Sequence, residues 1–286
     1  MLYLNRNGVI PMDNKTNINW YPGHMVKTKK DLMKNKDLVD IVYEVIDARC
    51  PISSRLEEMD TIIGNKPRIV IATKYDLCDK SVTDKLIGKD VFKINSLNDS
   101  IKPIINKTVD IMKTINEKRI SKGLKPRKAR VMIVGVPNVG KSSLINRLVS
   151  KKVAGVGNKA GVTKHINWIR VGKDIELLDS PGVLWPKFED QERALILCAC
   201  QCIKEEVVDR GLICEFIIKK LYELYPSKLE ERYGISDISD MIEVYEAIGK
   251  KRGCLVKGGV VDYDKVIDVV IRDFNNGYFR EVSLDR

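Results

Sequence analysis

The chain has 286 residues, enough for one large domain or two smaller ones, and 44% of them are hydrophobic, which supplies a core and excludes global disorder. The longest uncharged apolar stretch, 194–203, falls well short of the roughly 18 residues a membrane helix needs, and Arg6 and Lys15 are followed by no signal-peptide core; the expected setting is soluble, cytoplasmic and without membrane contact. The net charge of +11 is uneven, with 34 Lys+Arg against 19 Asp+Glu in residues 1–186 and 16 against 20 in residues 187–286, so a basic body suited to a polyanion precedes a mildly acidic third.

The seven cysteines are an odd number, no two stand in Cys-x-x-Cys spacing, and there are only two histidines. That pattern argues against a disulfide framework and against structural zinc. The cysteines read as small buried hydrophobes of a reducing compartment.

Residues 1–17 read as an N-terminal extension, with Met12 a candidate initiator. Short apolar runs at 40–47, 68–73 and 91–94 then predict strands. A helical pattern covers 101–122. Residues 117–130 carry seven basic side chains and one acid, interrupted by Gly123 and Pro126, and read as a helix end and linker. Further strands are predicted at 129–135, 166–171 and 174–179, with a helix at 141–150. Near-continuous apolar strands alternating with helices predict an α/β fold, a doubly wound and mostly parallel sheet. Beyond Pro186, segments 189–208, 211–225, 239–250 and 263–275 all read as helices. The expected domains are therefore the extension 1–17, an α/β domain 18–186 and a helical C-terminal domain 187–286.

Gly135-Val136-Pro137-Asn138-Val139-Gly140-Lys141-Ser142 matches G-x-x-x-x-G-K-[ST] in full, between a strand and a helix. Glycines let backbone N–H groups wrap phosphates, and the helix N-terminus favours an anion. Asn138, Val139, Gly140, Lys141, Ser142 and Ser143 are the phosphate-binding candidates here. Lys141 places its charge against the β- and γ-phosphates, and Ser142 offers a hydroxyl to Mg²⁺. About forty residues on, Asp179-Ser180-Pro181-Gly182 ends another apolar strand. Asp179 there suits the magnesium shell through water, and the Gly182 N–H suits the γ-phosphate. Between them, Thr163 in a Gly- and Lys-rich loop is the candidate Mg²⁺ ligand that senses the triphosphate.

A Lys-x-Asp after a strand can select guanine, because the carboxylate accepts from N1–H and N2–H₂ while the Lys stem packs on the ring. Only Thr73-Lys74-Tyr75-Asp76 fits, and Asn95-Ser96 after the next strand can meet the guanine O6. GTP is thus the expected nucleotide. A P-loop ATPase or small-molecule kinase is the rival, which Lys74 and Asp76 oppose.

The order of these motifs, base first and phosphate loop second, is that of circularly permuted Ras-like GTPases. Trp20-Tyr21-Pro22-Gly23-His24-Met25, Asp47-Ala48-Arg49, the phosphate loop, Lys251-Arg252-Gly253-Cys254-Leu255, Lys257-Gly258-Gly259 and Tyr263-Asp264-Lys265 resemble the ribosome biogenesis GTPase A (RbgA/YlqF) family from about residue 18 to 286. The resemblance implies a GTPase that binds GTP and GDP and helps mature the large (50S) ribosomal subunit, with an RNA-rich precursor of rRNA and ribosomal proteins as a partner bound in a nucleotide-dependent way. The residues after Gly182 are Val183 and Leu184, which cannot orient water. The resemblance points to His24 for that role, beside Lys141 and Gly182 in catalysis, and to Asn138 as a candidate K⁺ ligand. Intrinsic turnover is expected to be slow and particle-stimulated; a GTP-binding scaffold without turnover is the alternative. Thr73 stands where the family has Asn. Candidate RNA-contacting patches are Lys27, Lys29, Lys30, Lys34 and Lys36, then 118–130, then Lys250, Lys251, Arg252 and Lys257.

Overall fold

The computed structural model describes residues 2–5, 8–11, 30, 33–56, 61, 63–95, 99–149, 168–178, 190–203 and 208–286. In chain order the elements are β1 (Leu2–Asn5), β2 (Gly8–Pro11), β3 (Ile41–Asp47), β4 (Arg68–Thr73), α1 (Lys80–Ile87), β5 (Phe92–Lys93), α2 (Lys102–Ile120), β6 (Ala129–Val134), α3 (Lys141–Val149), β7 (Trp168–Val171) and β8 (Ile175–Leu178). Helices α4 (Gln191–Ala199), α5 (Arg210–Leu224), α6 (Pro226–Tyr233), α7 (Met241–Arg252) and α8 (Tyr263–Asn275) follow. These elements fall into two compact units. One holds β3 to β8 with α1 to α3; the other holds β1, β2, Leu77–Asp79 and the described residues from 190 onward. The expected boundary at 186/187 lies outside the described residues.

The α/β unit is built on a sheet of order β5-β4-β3-β6-β8-β7, parallel throughout except for β7, which runs antiparallel to β8. Every residue of the central strand β3 is buried, as a strand covered on both faces must be. Tyr43 on β3 shares a 2.5 Å hydrogen bond with Thr108 of α2, so that helix is latched to the sheet by a polar pair inside the core. Asp47 of β3 sits opposite Thr73 of β4, and Glu44 of β3 opposite Val134 of β6. The carboxyl ends of these three strands therefore lie along one edge, and the loops leaving them share it. Strand β5 keeps only two residues of the expected 91–94. Helix α1 was not apparent in the sequence: only Thr83 of its eight residues is buried, too little to make an apolar stripe.

The helical unit departs from expectation at two points. The segment 189–208 is not one helix. α4 ends at Ala199; Gln201 takes a left-handed φ of 58°, and the N–H groups of Cys202 and Ile203 both turn back to the Leu197 carbonyl, at 2.7 and 3.4 Å. The unit also contains α6, which opens on Pro226 and stops at Gly234 with φ 73°. Asp190, Asp209, Asp240 and Asp262 cap α4, α5, α7 and α8, their side chains accepting from first-turn N–H groups. Each such cap contributes about 1 kcal/mol. Near the end of the chain, Val282 N–H donates to the Leu77 carbonyl at 3.1 Å, and Asp79 N–H donates to Ser283 Oγ at 3.1 Å.

All seven cysteines are buried and none is in a disulfide. Among the described residues no helix is long and apolar enough to cross a membrane.

Candidate nucleotide site

Strand β6 delivers the chain into the loop 135–142, and α3 starts inside it. Gly135 has φ 155°, and a Cβ there would lie 2.3 Å from the Val45 carbonyl oxygen of β3, so only glycine lets the loop leave between the strands. Asn138 holds a left-handed φ of 57°, a conformation that Asn tolerates better than most side chains. Val136 and Val139 are fully buried and anchor the loop from below. Lys141 is 8% exposed, and its ammonium donates to the carbonyls of Gly135 at 3.0 Å and Val136 at 2.6 Å. Its charge is thus held inside the loop's curve. Ser142 and Ser143 are exposed in the first turn of α3, where helix N–H groups lack intrahelical partners. Asn138 is exposed too.

The segment expected to select the base, 73–76, leaves β4 on the same edge. Thr73 is fully buried; its hydroxyl donates to the Val139 carbonyl of the phosphate loop and lies 3.1 Å from the Ile46 carbonyl. A Cβ on Gly140 would come within 3.3 Å of Thr73 Oγ1, so the two loops touch with no side chain between them. Thr73 makes here a link from base segment to phosphate loop through its hydroxyl.

Lys74 has a left-handed φ of 56°, and its ammonium donates to Asp47 Oδ2 at 2.7 Å. Asp47 is fully buried. Its Oδ1 accepts from Arg49 N at 3.0 Å and Nε at 3.1 Å, and its Oδ2 accepts from Arg49 Nη2 at 2.8 Å. Burial alone pushes this carboxyl up. The adjacent Arg49 and Lys74 charges and their hydrogen bonds overcome that and hold it well below the usual carboxylate range. Asp47 therefore stays ionised and fixes the Lys74 stem.

Asp76 is exposed, and among the described residues its carboxylate has no partner. Tyr75 donates its hydroxyl to Asp84 at 2.9 Å, and the ammonium groups of Lys80 and Lys93 lie 5.5 and 5.7 Å from its ring centroid. Asn95 follows β5. Its N–H donates to Asp99 at 2.7 Å, and its carbonyl accepts from Arg147 Nη1 of α3 at 2.8 Å.

The structure thus brings Thr73, Lys74, Tyr75, Asp76, Asn95, Asn138, Val139, Gly140, Lys141, Ser142 and Ser143 to one edge of one sheet. His24, Ser96, Thr163, Asp179 and Gly182 lie outside the described residues. Two contributors were missed in the sequence. Asp47 holds Lys74, and Arg147 ties the second base loop to the helix of the phosphate loop. The signal for Asp47 was its place in the Asp47-Ala48-Arg49 motif at the end of β3, which carried no role in the site there; Arg147 had none, since a helical arginine is ordinary.

The family profile described as "50S ribosome-binding GTPase" matches residues 130–224. Ribosome biogenesis GTPase A of Bacillus licheniformis is 42% identical over 277 residues, spanning 94% of this chain and 98% of that protein. The chain belongs to the ribosome biogenesis GTPase A family. A family member from Thermotoga maritima is 31% identical over 270 residues, spanning 94% of both chains. The crystal structure of GNP-bound YlqF from T. maritima superimposes with a TM-score of 0.63 at 28% identity, covering 92% of this chain and 98% of that one. The sheet order and the succession of base segment, then phosphate loop, are those of a circularly permuted, Ras-like P-loop GTPase.

Proposed function

We propose that this GTPase binds GTP at the sheet edge just described, hydrolyses it, and serves maturation of the large ribosomal subunit by binding its RNA-rich precursor. One observation carries the nucleotide reading: the Thr73 hydroxyl on the Val139 carbonyl, which joins a base-selecting segment to a phosphate loop in one piece. Lys141 meets the β- and γ-phosphates, the N–H groups from Asn138 to Ser143 line the phosphate path, and Asp76 accepts from guanine while Lys74 covers the ring. Asn95 and Ser96 border the base.

The exposed Ser142, next in the chain to the enclosed Lys141, offers a hard oxygen donor of the kind Mg²⁺ takes. Ser142 and Thr163 would hold the ion directly and Asp179 through water. When bound, Mg²⁺ neutralises charge that builds on the phosphate oxygens. The exposed Asn138 side chain is the K⁺ ligand in this reading. His24 orients the attacking water, and the Gly182 N–H meets the γ-phosphate. The proposed place of action is the cytoplasm.

The test is GTP turnover by the isolated protein and in the presence of large-subunit precursor particles. Slow intrinsic hydrolysis raised by the particle is expected. Turnover unmoved by saturating particles, or equal hydrolysis of ATP, would reject the reading.

A further inference from the structure

At the other end of the sheet from the nucleotide site, three segments distant in sequence surround an open groove of about 400 Å³. The last turns of α2 contribute Lys113 and Asn116, the strap before β6 contributes Arg127 and Lys128, and the turn between β7 and β8 contributes Lys173 and Asp174. Backbone geometry fixes this meeting. Asn116 exchanges two 3.0 Å hydrogen bonds with the Arg127 backbone, and Ala129 N–H donates to the Asp174 carbonyl at 2.8 Å. Strands β6 and β8 begin here in parallel register, Ala129 beside Ile175. The phosphate loop leaves the far end of β6, about 20 Å of strand away. These cations are therefore not part of the nucleotide site.

Apart from Arg127, their charges are unspent. Arg127 is committed to Asp40 at 2.6 Å. Among the described residues, Lys113, Lys128 and Lys173 form no ion pair, and Lys113 and Lys173 are exposed. Asp174 is the one acidic residue lining the groove. No lining residue is aromatic, so the groove offers nothing for base stacking. Point charges around a concavity without stacking platforms suit a phosphate backbone and carry no sequence information.

We propose that this groove docks the phosphate backbone of RNA through Lys113, Lys128 and Lys173, without reading sequence and independently of whether GTP or GDP is bound. The inference rests on the ribosomal reading above and assigns its RNA contact to one surface.

The experiment measures binding of a fluorescein-labelled RNA duplex and of large-subunit precursor particles across a salt titration. It is run with GDP and with a non-hydrolysable GTP analogue. The variant K113A/K128A/K173A is compared with K85A/K89A/K102A, which loses the same charge from exposed lysines elsewhere on the same unit. The groove variant should melt like the wild type, keep its particle-free GTP turnover, and lower the slope of log affinity against log salt by about two to three. At low salt it should bind RNA at least about tenfold more weakly, by the same factor in both nucleotide states. An unchanged slope, an equal loss in the control variant, or a loss confined to one nucleotide overturns the proposal while leaving the ribosomal reading intact. Lost particle binding with duplex binding preserved would assign the groove to an acidic ribosomal protein instead. A wild type that binds neither probe overturns both readings.

Discussion

Thr73→Val keeps the shape of the side chain and replaces the hydroxyl with a methyl group, which removes the hydrogen-bond donor. Thr73 and Val139 are both fully buried, so no water can replace the hydroxyl that faces the Val139 carbonyl. A buried acceptor left without its donor costs about 1–3 kcal/mol. For a chain of this size that corresponds to a melting temperature roughly 2–12 °C lower. The lost bond joins base segment to phosphate loop, so its loss should also be felt as weaker guanine nucleotide binding. If the whole cost passes into binding, GDP and GTP affinities fall about 5- to 150-fold, at 1.4 kcal/mol per tenfold. Thr73→Ser keeps the proton and should stay near wild type. Thr73→Asn supplies an amide N–H to the same carbonyl and should also bind nucleotide normally. Thermal melts without nucleotide and titration with a fluorescent GDP measure both effects. A valine variant with unaltered melting and affinity would show that the link between the loops carries no energy.

Asp47→Ala strands the buried Arg49 guanidinium and frees Lys74; it should cost about 3–5 kcal/mol in urea unfolding and weaken guanine nucleotides further through the loosened Lys74 stem. The Asp47 carboxyl titrates below its ordinary value when folded, so its stabilisation is complete at neutral pH and is lost as pH falls below about 4; urea midpoints measured down to that range should fall more steeply for wild type than for Asp47→Asn. Gly135→Ala would force a methyl to 2.3 Å from the Val45 carbonyl; β3 and the loop must separate, and nucleotide binding should disappear in a filter or calorimetric assay. Asp76→Asn should trade GTP for xanthosine triphosphate, because an amide donates where guanine presents its own donor; unchanged GTP affinity would remove Asp76 from the base site.

The strands and the phosphate loop were legible because their signals are local. A fully buried parallel strand such as β3 shows as a near-continuous apolar run, interrupted by Glu44 before it ends on Asp47, and the loop's glycines and Lys141 stand in fixed spacing. The proposed base segment is marked in the sequence only by its position after β4. Other features depend on partners distant in sequence. Asp47 and Lys74 are 27 residues apart, and the role of the acid appears only when β3 and β4 lie side by side. Arg147 and Asn95 meet across 52 residues. Helix α1 was hidden by its polar composition. The break after Ala199 was hidden because Cys200, Cys202 and Ile203 beyond it continue a buried pattern while the backbone turns back. The aspartate caps of the helical unit were in plain view, each just ahead of its helix, and would have sharpened its boundaries.

The strand order has a consequence in time. In chain order the sheet is laid outward from β3 through β4 to β5, and only afterwards does β6 take its place against the other side of β3. During synthesis at about 5–20 residues per second, the phosphate loop trails the base segment by about 60 residues, or roughly 3–12 seconds. For that interval β3, whose seven residues all end up buried, has one side paired with β4 and its other edge open. Nothing can yet hold a triphosphate. The newborn chain therefore passes through a sticky half-sheet before it can bind its nucleotide, and rapid translation of residues 121–134 shortens its exposure to misassembly.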